Sequence, residues 1–247
     1  MRALNQAGAN IALLTHRSDP PADLAARIGV SETSAEVIFG DALNRDSLRS
    51  AAEAVARRFG VMHGLINAAG GNKPGATTAQ DLPFFDLPED ALRCVVDLNL
   101  LGTLVPCQGL GRMMAERREG VILNFSSMNA YRPLTRTPAY SAAKSAVSSF
   151  TQWLAVLMAQ TYSPRIRVNA IAPGFFLTEQ NRYLLTDRDS DELTPRGRAI
   201  LQHTPMARFG LPEDILGSVF WLLSPSSAFV AGITEPVDRG FSALSGV

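Results

Sequence analysis

Short apolar runs recur along the chain, separated by stretches with helical periodicity. Residues Ile11–Thr15, 36–39, Gly64–Asn67, 121–125, 166–171 and Thr234–Val237 are strand-sized and largely apolar on both faces. Between them, 46–59, 89–114, 139–160 and 212–223 carry apolar residues on one side, as amphipathic helices do. Pro212 suits the first turn of the last of these. Strands buried on both faces and separated by helices predict an α/β fold, a doubly wound parallel sheet covered on both sides. Such sheets bind ligands beyond the carboxyl ends of their strands. Asn67 to Gly71, Ser126-Ser127 and Pro173-Gly174 each follow one of the predicted strands and fall there.

The stretch 175–206 breaks the alternation and carries Thr-Asp-Arg-Asp-Ser-Asp-Glu at 186–192. A loop this long in a compact domain is usually functional. It reads as a substrate lid of one or two short helices, inserted in a single domain covering 1–247. A disordered surface insert is the alternative.

Composition narrows the function. The net charge is zero, the pI is 6.8 and the charges are interspersed, so nothing favours nucleic acid or an anionic membrane. The longest apolar stretches are strand-sized, which predicts neither a signal peptide nor a spanning helix. Cys94 and Cys107 lie in apolar segments without a partner motif and are expected to be reduced thiols in a cytoplasmic protein. His16, His63 and His203 are scattered, so no metal site is expected.

The chemistry concentrates in Tyr140-Ser-Ala-Ala-Lys144, with Ser127 thirteen residues upstream. The spacing puts a phenol and an ammonium on one helix face. A cation within ~4–6 Å favours the phenolate, which would bring Tyr140 toward acid–base work. A plain surface pair is the alternative for the two residues taken alone.

With their neighbours these residues resemble the short-chain dehydrogenases/reductases over essentially the whole chain. Asn67-Ala-Ala-Gly70 is similar to the family's motif after its fourth strand. Asn99, Ser127, Tyr140 and Lys144 match its catalytic tetrad, and Pro173-Gly174 with Thr178 matches the segment that grips the nicotinamide amide. The resemblance implies a Rossmann-like fold and hydride transfer between NAD or NADP and a secondary alcohol or ketone. It implies that Tyr140 exchanges a proton with the substrate oxygen and that Ser127 holds that oxygen. Lys144 would lower the phenol's pKa and hold the nicotinamide ribose, while the backbone carbonyl of Asn99 would support a proton relay. The cofactor set so implied is Asp41, Asn67, Ala68, Gly70, Tyr140, Lys144, Pro173, Gly174 and Thr178. Asp41 reads equally as a turn or cap residue, Gly70 as a plain turn, and Asn99 as a residue bonding backbone at a helix irregularity. Relatives form two-fold dimers or tetramers through the long helices, here about 89–114 and 139–160.

The family's glycine-rich phosphate turn has no counterpart in this sequence. Residues 1–8 resemble the end of the helix that follows that turn, so the expectation is a chain without the usual first strand, N-terminally truncated at an internal methionine. A genuine chain with impaired cofactor binding, acting through oligomer contacts, is the alternative from another class. At the end of the strand Ile11–Thr15, Arg17 would suit the phosphate of NADP, a modest lean over NAD.

The segments 69–78, 126–135, 173–182 and 236–247 resemble one subgroup, the D-mannonate oxidoreductases (fructuronate reductases). A sugar acid needs a cation for its carboxylate and amide or hydroxyl partners for its hydroxyls. Asn72, Lys73, Asn129, Arg132, Gln180, Asn181 and Arg182 supply such groups, with solvated loop surface as the alternative for at least half of them. Another polyol or sugar dehydrogenase, or a 3-oxoacyl reductase, is the runner-up among enzymes.

Overall fold

The computed structural model of the chain describes residues 1–16, 34–178, 182–187 and 192–245. All six predicted strands form, and all pair in parallel. Strand β1 (Ile11–Thr15) pairs with β2 (Ala35–Phe39). A second sheet has the order β3 (Gly64–Asn67), β4 (Gly120–Phe125), β5 (Ile166–Pro173), β6 (Thr234–Val237). Among the described residues no ladder joins β1 to β3, so the sheet is in two parts.

Successive strand residues point to opposite faces, and here both faces are apolar. Leu65, Ile122 and Val168 enter a core shared with Leu48, Ala51 and Val55 of α2 (Arg45–Phe59). Ile66, Leu123 and Ile171 enter the opposite core, with Leu4 of α1 (Arg2–Gln6) packed against it. Ile38 and Leu14 join the first cluster, so one apolar layer backs both parts of the sheet. Doubly wound burial is thus visible residue by residue.

The predicted helix at 89–114 is more irregular than its pattern. It comprises α3 (Glu89–Val96), a π-helical turn Asp97–Leu101, α4 (Gly102–Gly109) and α5 (Gly111–Arg117). Pro106 inside α4 has no N–H for the carbonyl of Gly102, and the widened turn lies just before it. By length and composition the run Glu89–Arg117 could cross a bilayer, which corrects the expectation that no apolar stretch is that long. Its Val95, Asn99, Thr103, Cys107 and Met114 are buried within the fold.

Helix α6 (Pro138–Leu157) starts on Pro138 and ends in a second π-helical turn, Met158–Tyr162. Two short helices, α7 (Arg182–Leu185) and α8 (Pro195–Gln202), lie in the stretch 175–206, and α9 (Leu216–Leu223) follows a 3₁₀ turn at Pro212–Ile215.

Two buried polar connections set the sheet against its helices. Asn67 Nδ2 donates to Asn124 Oδ1 at 2.9 Å, and Asn124 Nδ2 donates to Thr151 Oγ1 of α6 at 2.9 Å. On the other face, the Arg167 guanidinium donates to the carbonyls of Leu222 and Ser224 and to Ser227 Oγ. It thereby satisfies the open carboxyl end of α9. Both connections place α6 and β5, which carry the site, with little freedom.

Candidate active site

Strand β4 delivers Ser126 and Ser127 to the carboxyl edge of the sheet, and both are buried. Ser127 opens a 3₁₀ turn, Met128–Ala130, with its Oγ accepting the Asn129 N–H at 3.3 Å. Helix α6 starts close by and brings Tyr140 and Lys144 to the same edge. The Ser127 hydroxyl lies near enough to the Tyr140 phenol to work toward lowering its pKa. Ser126 Oγ contacts Ser148 Oγ at 2.7 Å and donates to the Lys144 carbonyl at 3.0 Å, fastening β4 to α6.

Lys144 is only 3 % exposed. Its Nζ donates to the Phe125 carbonyl at 2.7 Å and lies 5.7 Å from the centre of the Tyr140 ring. Burial brings the ammonium's pKa down to about 8. The Tyr140 phenol moves the other way: desolvation raises its pKa, and the Ser127 hydroxyl only partly offsets this. This corrects the expectation that Lys144 holds the phenol low. The ammonium is directed at a backbone carbonyl, and burial dominates the phenol.

Asn99 is fully buried in the π-helical turn. Its side chain accepts from Gly71 N at 3.1 Å and donates to Gly71 O and Val95 O, both at 2.7 Å. Its own carbonyl accepts the Thr103 hydroxyl at 2.9 Å. Asn99 therefore braces the loop after β3. A Cβ added at Gly70 would lie 2.8 Å from Asn99 Oδ1 and 3.1 Å from Lys144 Nζ. Gly70 keeps backbone, Asn99 and Lys144 packed together, and Ala68 and Gly70 are exposed beyond them.

Other expected cofactor positions divide. The Asn67 amide faces the core, donating to Asn124 Oδ1 and Cys107 Sγ, so its side chain is turned away from the sheet edge. Asp41 Oδ1 caps the Leu43 N–H, as the turn alternative has it. Pro173 and Gly174 stand at the end of β5, where a Cβ on Gly174 would lie 2.7 Å from Asp238 Cα. Thr178 is exposed, and its carbonyl accepts the Arg182 N–H. Arg17 lies outside the described residues.

Among the expected substrate residues, Asn129 stands apart. It is 2 % exposed, two residues from Ser127, and its Oδ1 has no hydrogen-bond partner. Asn72 Nδ2 donates to Thr77 Oγ1 at 2.7 Å. The exposed Lys73 sits beside the half-buried Cys94, and this contact raises its pKa. Arg132 Nε donates to the Ser242 carbonyl at 2.7 Å, a contact between segments far apart in sequence. Arg182 begins α7, while Gln180 and Asn181 lie outside the described residues. Cys107 is a buried free thiol with its pKa pushed up to about 12 by desolvation.

A cavity of about 650 Å³ flanks α6 on the side of Ser141, Ala142 and Ser145, with Phe84 and Leu134 opposite. Tyr140 and Lys144 do not line it, so the buried Ser127–Tyr140–Lys144 group marks the site rather than this cavity. The sequence pattern places Ser126 at the sheet edge without its role as the clamp on α6, and gives Asp238, which abuts Gly174, no role of its own. Asp238 directly follows β6, and its place at a strand end was the available signal.

A two-sided parallel sheet with this Ser–Tyr–Lys group at its carboxyl edge defines a dinucleotide-dependent oxidoreductase. The chain belongs to the short-chain dehydrogenase/reductase family, and residues 1–242 match the family model described as enoyl-(acyl carrier protein) reductase. An uncharacterized oxidoreductase of Bacillus subtilis, UxuB, is 42 % identical over 255 residues, covering 100 % of this chain and 90 % of the relative. A candidate D-mannonate oxidoreductase from Haemophilus influenzae, solved with bound NAD, is 41 % identical with a TM-score of 0.91, covering 100 % of this chain and 90 % of that one. A gluconate 5-dehydrogenase from Burkholderia cenocepacia, solved with NADP and tartrate, is 28 % identical with a TM-score of 0.83, covering 98 % and 89 %. The chain is accordingly an NAD(P)-dependent oxidoreductase.

Proposed function

We propose that the chain interconverts the ketone and secondary alcohol of a sugar acid, with the D-fructuronate/D-mannonate pair as substrate. The buried, unpartnered Asn129 Oδ1 beside Ser127 carries this reading. An acceptor held dry next to the reacting position suits a sugar hydroxyl and penalises a substrate without one. The Haemophilus influenzae and Burkholderia cenocepacia relatives, whose names concern sugar acids, support the same class.

The residues round the site fit a dinucleotide. Exposed backbone at Ala68 and Gly70, the Lys144 ammonium and the Pro173–Gly174 corner supply donors and close approach where a nicotinamide ribose would lie. When bound, the dinucleotide supplies or accepts the hydride. Tyr140, its phenol held protonated by burial, donates its proton to the carbonyl oxygen in reduction. Ser127 hydrogen-bonds that same oxygen and fixes its direction. Lys144, pinned to the Phe125 carbonyl, is the donor that would hold the nicotinamide ribose hydroxyls. The raised phenol pKa keeps Tyr140 in the protonated form that reduction uses at neutral pH. Asn99 acts at one remove, by holding the Gly71 loop.

Arg182 and Lys73 remain the cations proposed for the substrate carboxylate, and the stretch 175–206 the lid above them. Arg17 leans the cofactor toward NADP. A homodimer or homotetramer through the helical stretches 89–114 and 139–160 is consistent with exposed Leu101 in the first and exposed Trp153 and Val156 in the second. Turnover of D-fructuronate, a neutral ketose and a 3-oxoacyl thioester with NADPH and NADH tests the reading. D-fructuronate with NADPH is expected to be fastest. A preference for the ketose or the thioester overturns the sugar-acid proposal, and a large NADH preference overturns the cofactor lean.

A further inference from the structure

The segment after β6 is fastened to the turn that carries Ser127. Tyr131 Oη donates to the Thr234 carbonyl of β6, and Arg132 Nε donates to the Ser242 carbonyl at 2.7 Å. Only one helical turn separates these tethers from Ser127, and it is closed internally. Ala130 N–H bonds the Ser127 carbonyl at 2.9 Å, and the Tyr131 and Arg132 N–H groups both bond the Met128 carbonyl at 3.0 Å. Backbone hydrogen bonds therefore connect Arg132 to Ser127 within one turn.

The tail's own shape is fixed from several sides. The Asp238 carboxylate accepts the Gly240 N–H at 3.0 Å and the Ser242 N–H at 2.8 Å, presenting the Ser242 carbonyl to Arg132. Arg239 and Gly240 both have positive φ, 58° and 83°, which makes the bend. Arg239 Nη2 reaches Asp214 Oδ1 at 3.0 Å, and Asp214 also holds Arg208. The Phe241 ring packs edge-on to Phe175 at 5.1 Å, and Asp238 lies against Gly174. The tail thus spans from the end of β5 to the Ser127 turn.

We propose that residues 238–242 are a positioning device for Ser127, with Arg132 as its tether rather than a ligand of the substrate carboxylate. Arg132 and Asp238 act only through the placement of the Ser127 hydroxyl, where a displacement of a fraction of an ångström costs rate. This rests on the proposed role of Ser127 at the substrate oxygen.

The test is a double-mutant cycle on kcat for D-fructuronate reduction, using Arg132→Ala, Ser127→Ala and the pair, with folding followed by circular dichroism. Arg132→Ala is expected to lower kcat roughly tenfold with little change in KM. The same substitution should have no further effect in the Ser127→Ala background, and Asp238→Ala should behave as Arg132→Ala does. A neutral ketose that turns over should show the same loss. A rise in KM confined to the sugar acid, with kcat intact, makes Arg132 a carboxylate ligand and overturns the proposal. Equal losses with and without Ser127 overturn it as well, since a general structural defect would act in both backgrounds. Equal rates for wild type and Ser127→Ala sink the functional reading itself, whereas a Ser127 effect without an Arg132 effect sinks only the tether. Should Arg132→Ala not fold, Asp238→Asn, which weakens the hold on the Gly240 and Ser242 N–H groups, carries the same expectations.

Discussion

Lys144→Met is predicted to stabilise the protein at neutral pH and to lose that advantage in alkali. Lys144 is 3 % exposed, and burial lowers its pKa from 10.5 to about 8. The folded state therefore releases the proton near pH 8, while the unfolded chain keeps it to about pH 10.5. Between those values the unfolded state binds more protons, so this group's contribution to stability rises with pH. Below pH 8 the charged form is carried as a penalty, about 3 kcal/mol for a shift of this size. Raising the pH from 7 to 9.5 relieves roughly 2 kcal/mol of it. The hydrogen bond to Phe125 offsets part of the penalty at pH 7, by ~1 kcal/mol. Lys144→Met should thus be about 2 kcal/mol more stable than wild type at pH 7, with that lead almost gone by pH 9.5. Urea unfolding of both proteins at the two pH values gives the numbers, and the difference between the proteins cancels other titrating groups. A difference that stays flat within about 0.5 kcal/mol, or grows with pH, refutes the reasoning, because a buried ammonium with a lowered pKa cannot behave so.

Gly174→Ala should distort the end of β5, because its Cβ would lie 2.7 Å from Asp238 Cα, a backbone atom that cannot swing away. A loss of about 1–3 kcal/mol in urea unfolding is expected, and a neutral result would mean the two segments separate easily. Arg167→Met should cost about 2–4 kcal/mol in the same assay, since two carbonyls and a hydroxyl at the end of α9 lose a buried donor. Unchanged stability would show that α9 satisfies its own end.

The strands were legible because both of their faces are apolar, and the catalytic group because its spacing survives in any fold that puts Ser127 and α6 at one edge. What a side chain does there was less legible. Periodicity gives the face of Lys144 but not its partner, and the Phe125 carbonyl captures the ammonium that the sequence assigned to the phenol. Asn67 shows the same limit: its place after a strand suggested a ligand, while the opposing Asn124 on β4 turns its amide inward. The π-helical turn round Asn99 is set by a break in helix geometry that a hydrophobic pattern cannot register. Arg132 and Ser242 meet only through the fold, so an arginine in a substrate loop read as a cation for the ligand.

The role of Tyr140 as the proton donor is tested most directly by the rate of dinucleotide-dependent D-fructuronate reduction in wild type and Tyr140→Phe. The phenylalanine ring preserves the packing and removes only the hydroxyl. A drop of roughly 10²–10⁴-fold in kcat, with dinucleotide binding retained, is the expected result. Comparable rates in the two proteins would contradict it.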